Sequence, residues 1–104
     1  MLNKLALGTV QFGLDYGVTN LSGQVAIGEV KNILDYAKEK SIDTLDTASG
    51  YGNSEQVLGE VGVNNYRIIT KTTPLKNGID GVIKGFYQSL DSLNIGQVDG
   101  LLIH

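Results

Sequence analysis

The sequence predicts an α/β protein: four parallel strands with intervening helices. Three observations carry this reading. Short, largely apolar runs at 5–12, 42–47, 66–72 and 98–104 read as strands, and helix-like segments at 28–40, 54–61 and 79–94 separate them. Strands alternating with amphipathic helices are joined by crossovers, which makes neighbouring strands parallel. The second and third runs also look buried on both faces, as parallel strands are expected to be.

Each element has its own signal. The opening strand lies in "LALGTVQF", and the helix after it carries Val30, Ile33, Leu34 and Ala37 at offsets of 0, 3, 4 and 7, one face of a helix. "IDTLDT" is the second strand. "SEQVLGEV" is a short helix with Ser54 as its N-cap and Glu55 in the first turn, where the helix dipole favours an acid. "YRIITKT" is the third strand, and the single proline, Pro74, falls in the loop beyond it, where it breaks nothing. The third helix has the strongest stripe: Ile79, Val82, Ile83, Phe86, Leu90 and Leu93. "VDGLLIH" is the fourth strand. An apolar helix face by itself means packing on a sheet and nothing more. Without repeats, linkers or low-complexity tracts, residues 1–104 read as one domain.

Composition narrows the function. At 104 residues the chain is long enough for one domain with a modest core. The 14 glycines are scattered between apolar runs and point to tight turns. A net charge of −3 weighs against nucleic acid as a partner, because phosphate binding needs clustered Lys and Arg. With no cysteine there is neither a disulfide framework nor thiolate chemistry, and a single histidine leaves no multi-His metal site. No signal segment and no apolar run approaching ~18 residues are present, so a soluble, cytoplasmic chain without a membrane partner is expected.

The chemistry-bearing residues gather in one place. In parallel β/α proteins functional groups collect at the carboxyl ends of the strands. Asp46 ends the second strand, Tyr51 follows it between two glycines, Lys71 is near the end of the third, and His104 ends the fourth. Residues two apart share a strand face, so Thr44 goes with Asp46, Ile69 with Lys71 and Leu102 with His104. Singly, each has an ordinary reading: Asp46 capping a turn, Lys71 an exposed strand-end lysine, Tyr51 a loop anchor, His104 a frayed end. Four groups capable of proton chemistry at one end of successive strands make those readings jointly poor.

"LGTVQFG", "DTASGYGNSEQVLGE", "ITKT" and "SLDSLNIGQVDGLLIH" together resemble the aldo-keto reductase superfamily over nearly the whole chain. The resemblance implies the N-terminal half of a (β/α)8 TIM barrel, and an enzyme that reduces aldehydes or ketones with NADPH. It implies a catalytic tetrad of Asp46, Tyr51, Lys71 and His104, and cofactor contacts at Gly8, Thr9 and Asp46. In this chemistry Tyr51 delivers a proton to the carbonyl oxygen. An ammonium beside a phenol stabilises the phenolate; Lys71 would be that ammonium, held charged and aimed by Asp46, with His104 positioning the carbonyl. Glu55 and Gly52 also match family positions, and Glu55 is read as support for the helix start.

A (β/α)8 barrel takes about 250 residues, so four of eight strands are expected here. Most family contacts to the NADPH phosphates and ribose come from the other half, so the 104-residue chain alone is expected to be inactive. Unpaired edges on the first and fourth strands predict self-association. Two other readings stand beside the reductase. One is a non-catalytic, self-associating half-barrel or interaction module. The other is a different β/α-barrel enzyme using Lys71 as a Schiff base, which the Asp46/Tyr51 spacing and the Leu-Leu-Ile-His run fit poorly.

Overall fold

A computed structural model of the chain describes residues 4–14, 23–72 and 75–104. Its elements run β1 (Leu7–Gly8), α1 (Ile27–Glu39), β2 (Thr44–Asp46), α2 (Ser54–Val61), β3 (Arg67–Thr72), α3 (Gly78–Leu93) and β4 (Gly100–Ile103), with 3-10 turns at Val10–Phe12 and Leu75–Asn77. The strands form one parallel sheet in the order β1-β2-β3-β4, as the alternation of elements predicts. The Pro74 loop lies outside the described residues.

The helices pack on one face of this sheet. Leu45 from β2 and Ile68 from β3 meet Val30 and Leu34 of α1, Leu58 of α2 and Leu93 of α3 in the core. The stripe read at Val30, Leu34 and Ala37 is the buried face of α1. Charge suits the helix dipole at both its ends, with Glu29 in the first turn and Lys38 in the last. Ser41, at φ 65°, turns the chain out of α1, and Asn94, at φ 56°, does the same after α3. Asn tolerates this left-handed conformation better than most side chains.

All four strands are shorter than the apolar runs suggested, and the two at the sheet edges show how they end. β1 ends at Gly8, and just beyond it the Thr9 amide and hydroxyl both donate to the Asp46 carbonyl, at 3.1 and 3.0 Å, tying the end of β1 to β2. The chain then coils into the 3-10 turn, which buries Phe12. On the other edge, β4 is preceded by Asp99, whose amide donates to the Ile68 carbonyl while its carboxylate accepts the Ile68 amide, each at 2.8 Å. A side chain thus takes the place of a backbone acceptor, and regular pairing begins one residue later.

Burial departs from expectation in two further respects. Among the described residues, β2 and β3 are covered on one face only: Leu45, Ile68, Thr70 and Thr72 are buried, whereas Thr44, Asp46, Ile69 and Lys71 on the opposite face are half-buried. The stripe on α3 is fully covered only near its end, with Val82, Phe86 and Leu90 half-buried. Leu93 is buried, but Ile79 is 71% and Ile83 49% exposed. Periodicity identifies the apolar face of a helix; whether a neighbour lies against each turn of it is decided by tertiary packing. No helix among the described residues is long and apolar enough to cross a membrane.

Candidate active site

The open face of the sheet brings together the four residues that the sequence singles out. Asp46 pairs in register with Ile69, and Lys71 stands two residues further along β3 on the same face. The Lys71 ammonium reaches back to Asp46 Oδ1 in a short ion pair and donates to the Thr47 carbonyl at 2.9 Å. Its side chain is only 15% exposed, against 42% for Asp46. Burial pushes the Lys71 pKa down. The hydrogen bonds and charges of Asp46 and Tyr51 outweigh that, and the net result lies above the ordinary 10.5.

Tyr51 arrives from a tight turn in which its amide donates to the Ala48 carbonyl at 3.2 Å. Its ring centroid lies 5.0 Å from Lys71 Nζ. The His104 ring stands edge-on to it, with centroids 5.9 Å apart and planes at 90°. His104 is held by its amide, which donates to the Thr72 carbonyl at 3.3 Å and so continues the β4 pairing. A carboxylate, an ammonium, a phenol and an imidazole therefore share one small region at the carboxyl ends of β2, β3 and β4.

The loop carrying Tyr51 is pinned from several sides. The Ser49 amide and hydroxyl both donate to the Lys71 carbonyl, each at 3.1 Å. Gly52 sits at φ 56°, and a Cβ on it would lie 2.2 Å from the Gly13 carbonyl oxygen. Only glycine permits both that conformation and that approach.

Ser54 is not the N-cap that the sequence suggested. Asn53 occupies that position without a side-chain cap, and α2 begins at Ser54. The Ser54 hydroxyl instead turns inward, 3.1 Å from each of the Thr9 carbonyl, the Thr9 hydroxyl and the Thr47 hydroxyl. The adjacent Glu55, in the first turn of α2 and 7% exposed, accepts the Thr70 hydroxyl at 2.7 Å and the Ser89 hydroxyl at 3.0 Å. Sequence reasoning missed both networks. The signal for the Glu55 network was present as hydroxyl residues: Thr70 on the face of β3 that carries Ile68, and Ser89 on the face of α3 that carries Leu93.

The two other residues assigned to cofactor contact stand differently. Gly8 is exposed beside Asp46, and a Cβ there would meet nothing within 4 Å. Thr9 is fully buried, with its hydroxyl donated to the Asp46 carbonyl, so it does not present that group to the open face. The apolar groove lined by Leu7, Ile33, Tyr36 and Ile42 lies along β1 and α1 and includes none of the four site residues.

The model of the aldo/keto reductase family matches residues 4–104. The chain belongs to that family. Among aldo-keto reductase crystal structures, one from Pseudomonas aeruginosa superposes with a TM-score of 0.83 at 29% identity, covering 99% of this chain and 43% of its own. The Bombyx mori aldo-keto reductase in complex with NADP superposes at 0.72 and 27% identity, over 96% of this chain and 33% of its own. The oxidoreductase sirO of Leptosphaeria maculans is 30% identical over 107 residues, 96% of this chain and 32% of that protein. The chain thus spans a third to less than half the length of these relatives. Its four strands match the N-terminal part of the aldo-keto reductase TIM barrel.

In this family member the Lys71–Asp46 pair predicts an alkaline loss of stability. A lysine whose folded pKa is raised contributes stability that is fully present below the unfolded value of about 10.5 and lost as pH rises through the folded value. Tyr66 and Lys31 are also raised and act in the same direction. Comparison with Asp46→Asn isolates the pair. Denaturant midpoints of the two proteins should differ most below pH 10.5 and converge above it; a constant difference across that range would refute the assignment.

Proposed function

We propose that this chain supplies the proton-transfer residues of an NADPH-dependent aldo-keto reductase that converts an aldehyde or ketone to its alcohol. The observation that carries this reading is the Lys71 ammonium lying between the Asp46 carboxylate and the Tyr51 ring, with His104 edge-on to that ring. Reduction of a carbonyl needs a hydride on carbon and a proton on oxygen. A bound nicotinamide supplies the hydride.

The chain's own residues account for the proton. Tyr51 passes its hydroxyl proton to the carbonyl oxygen and is left as phenolate. The Lys71 charge stabilises that anion, and Asp46 keeps Lys71 cationic despite its burial. His104 is exposed beside Tyr51 and holds the carbonyl oxygen by donating from its imidazole. Space for a planar ring on the open face is suggested by Gly8, where a Cβ would meet nothing within 4 Å, with Asp46 beside it in register. Gly8 and Asp46 would line the cofactor there, with Thr9 fixing the end of β1 to β2. The NADP found in the Bombyx mori relative supports the choice of cofactor.

A second reading, an interaction module that associates through its strand edges, has support of its own. Leu101, Leu102 and Ile103 on β4 and Ile79, Ile83 and Tyr87 on α3 are all exposed. Unpaired strand edges with apolar side chains favour association.

Titration of the 104-residue chain with NADPH separates the two readings. The nicotinamide's own fluorescence serves as the signal, since the protein has no tryptophan. Saturable binding is the expected result for the reductase reading, whether by the chain alone or combined with the rest of a barrel. Absence of binding in both forms would overturn that reading and leave association, measured by light scattering, as the property to pursue.

A further inference from the structure

We infer that Glu55 is a positioning residue, which uses buried hydrogen bonds to β3 and α3 to fix the Tyr51 loop against Lys71. The inference rests on the proton-transfer role proposed for Tyr51. Glu55 touches none of the reacting groups. It follows Tyr51 by four residues, and the intervening turn is closed by the Ser54 amide donating to the Tyr51 carbonyl at 3.0 Å. Displacing the start of α2 therefore displaces Tyr51.

Three features give Glu55 this place. Its carboxylate is almost wholly buried, although among the described residues no lysine, arginine or histidine forms an ion pair with it. Burial of an acid is costly unless its oxygens are satisfied, and here each oxygen accepts one hydroxyl. One hydroxyl belongs to Thr70, the residue immediately before Lys71 on β3, and the other to Ser89 on α3. Position in the first turn of α2 adds the favourable end of the helix dipole. Helix packing alone would be met by an apolar residue at this site. A carboxylate forking between a strand and a helix instead adds directional ties.

Those ties span the distance that matters for proton transfer. Thr70 points to the helix side of β3 and Lys71 to the open side, so fixing Thr70 fixes the backbone from which Lys71 projects. Ser54 makes the corresponding links to Thr9 and Thr47, at the ends of β1 and β2. Glu55 adds β3 and α3. The phenol of Tyr51 and the ammonium of Lys71 are thereby held on one frame.

The test compares Glu55→Ala with Glu55→Gln and with a core variant, Leu93→Val, chosen to lower stability without touching the network. The readouts are the Lys71 side-chain titration and the Lys71 ε-methylene shift, both by NMR; the latter senses the Tyr51 ring. Glu55→Ala is expected to move the Lys71 pKa down towards its ordinary value and to shrink the ring-current displacement. Glu55→Gln, which can still bond both hydroxyls, should keep both near the parent values, and Leu93→Val should leave them unchanged. An unaltered Lys71 in Glu55→Ala would overturn the inference, as would a Gln variant that behaves like Ala. Should Glu55→Ala not fold, Thr70→Val removes one tie alone, and an unchanged Lys71 there would overturn it equally. None of these readouts needs turnover, so failure of the reductase reading stays separate. In a preparation that reduces carbonyls, Glu55→Ala should lose up to about 10²-fold in kcat with KM little changed, the scale of a misplaced catalytic group.

Discussion

Tyr51→Phe is expected to lower kcat/KM for carbonyl reduction by about 10²–10⁴-fold, the usual contribution of a positioned general acid. The assay is run in whichever form binds NADPH, the chain alone or combined with the rest of a barrel. The substitution removes one oxygen and keeps the ring, so the edge-on packing against His104 and the face presented to Lys71 are retained. NADPH affinity and melting temperature should therefore be close to those of the parent. The selectivity of the loss matters more than its size. A fall in rate accompanied by an equal fall in stability would make Tyr51 a loop anchor, and an unchanged rate would remove it from the chemistry.

Gly59→Ala is expected to destabilise the fold by about 1–3 kcal/mol, the range for overpacked interiors. At a helix interior the exchange ordinarily stabilises by about 0.5–1 kcal/mol. Here the added Cβ would stand 2.0 Å from the Ser92 carbonyl oxygen and 3.0 Å from the Leu93 carbonyl carbon. Both are backbone atoms, so no side chain can rotate away, and α2 and α3 must move apart. The clash outweighs the gain in propensity. With about 4–8 °C of melting temperature per kcal/mol for a domain near this size, the loss is easily read in a thermal melt. Gly28→Ala, in the first turn of α1, supplies the contrast, because a Cβ there meets nothing within 4 Å and a gain smaller than that of a helix interior should appear without any clash. Equal stabilisation by both substitutions would disprove the close approach.

Much of this was legible in the sequence because chemistry and periodicity act locally. The parallel β/α order followed from alternating patterns, whereas parity within each strand left open which faces meet, and the register of β2 with β3 is what sets Asp46 and Lys71 on one side of the sheet. What escaped depended on partners remote in sequence. Thr9 reads as one more residue of the first strand, yet its hydroxyl is taken up by a carbonyl 37 residues away as the chain leaves β1 for the 3-10 turn. Ser54 has the composition of an N-cap, yet its hydroxyl finds better company inside, 45 residues back at Thr9. Val82, Ile83 and Phe86 are written into the stripe of α3 as firmly as Leu93, but among the described residues Ile83 is exposed and Val82 and Phe86 are half-buried, whereas Leu93 lies buried where α3 approaches Gly59. The role read for Glu55 at the helix start was compatible with its position and silent about Thr70 and Ser89.

The strand order β1-β2-β3-β4 also bears on how the protein comes into being. Every strand in this sheet lies beside the one made just before it, so no strand must wait for a later one before finding its place. A chain emerging from the ribosome amino end first can lay down the sheet as it is synthesised, one strand and one helix at a time. Asp46 and Tyr51 are translated first, Lys71 closes the ion pair when β3 arrives, and His104 comes last. The proposed proton-transfer site is thus ordered in time along the message as well as in space along the sheet edge.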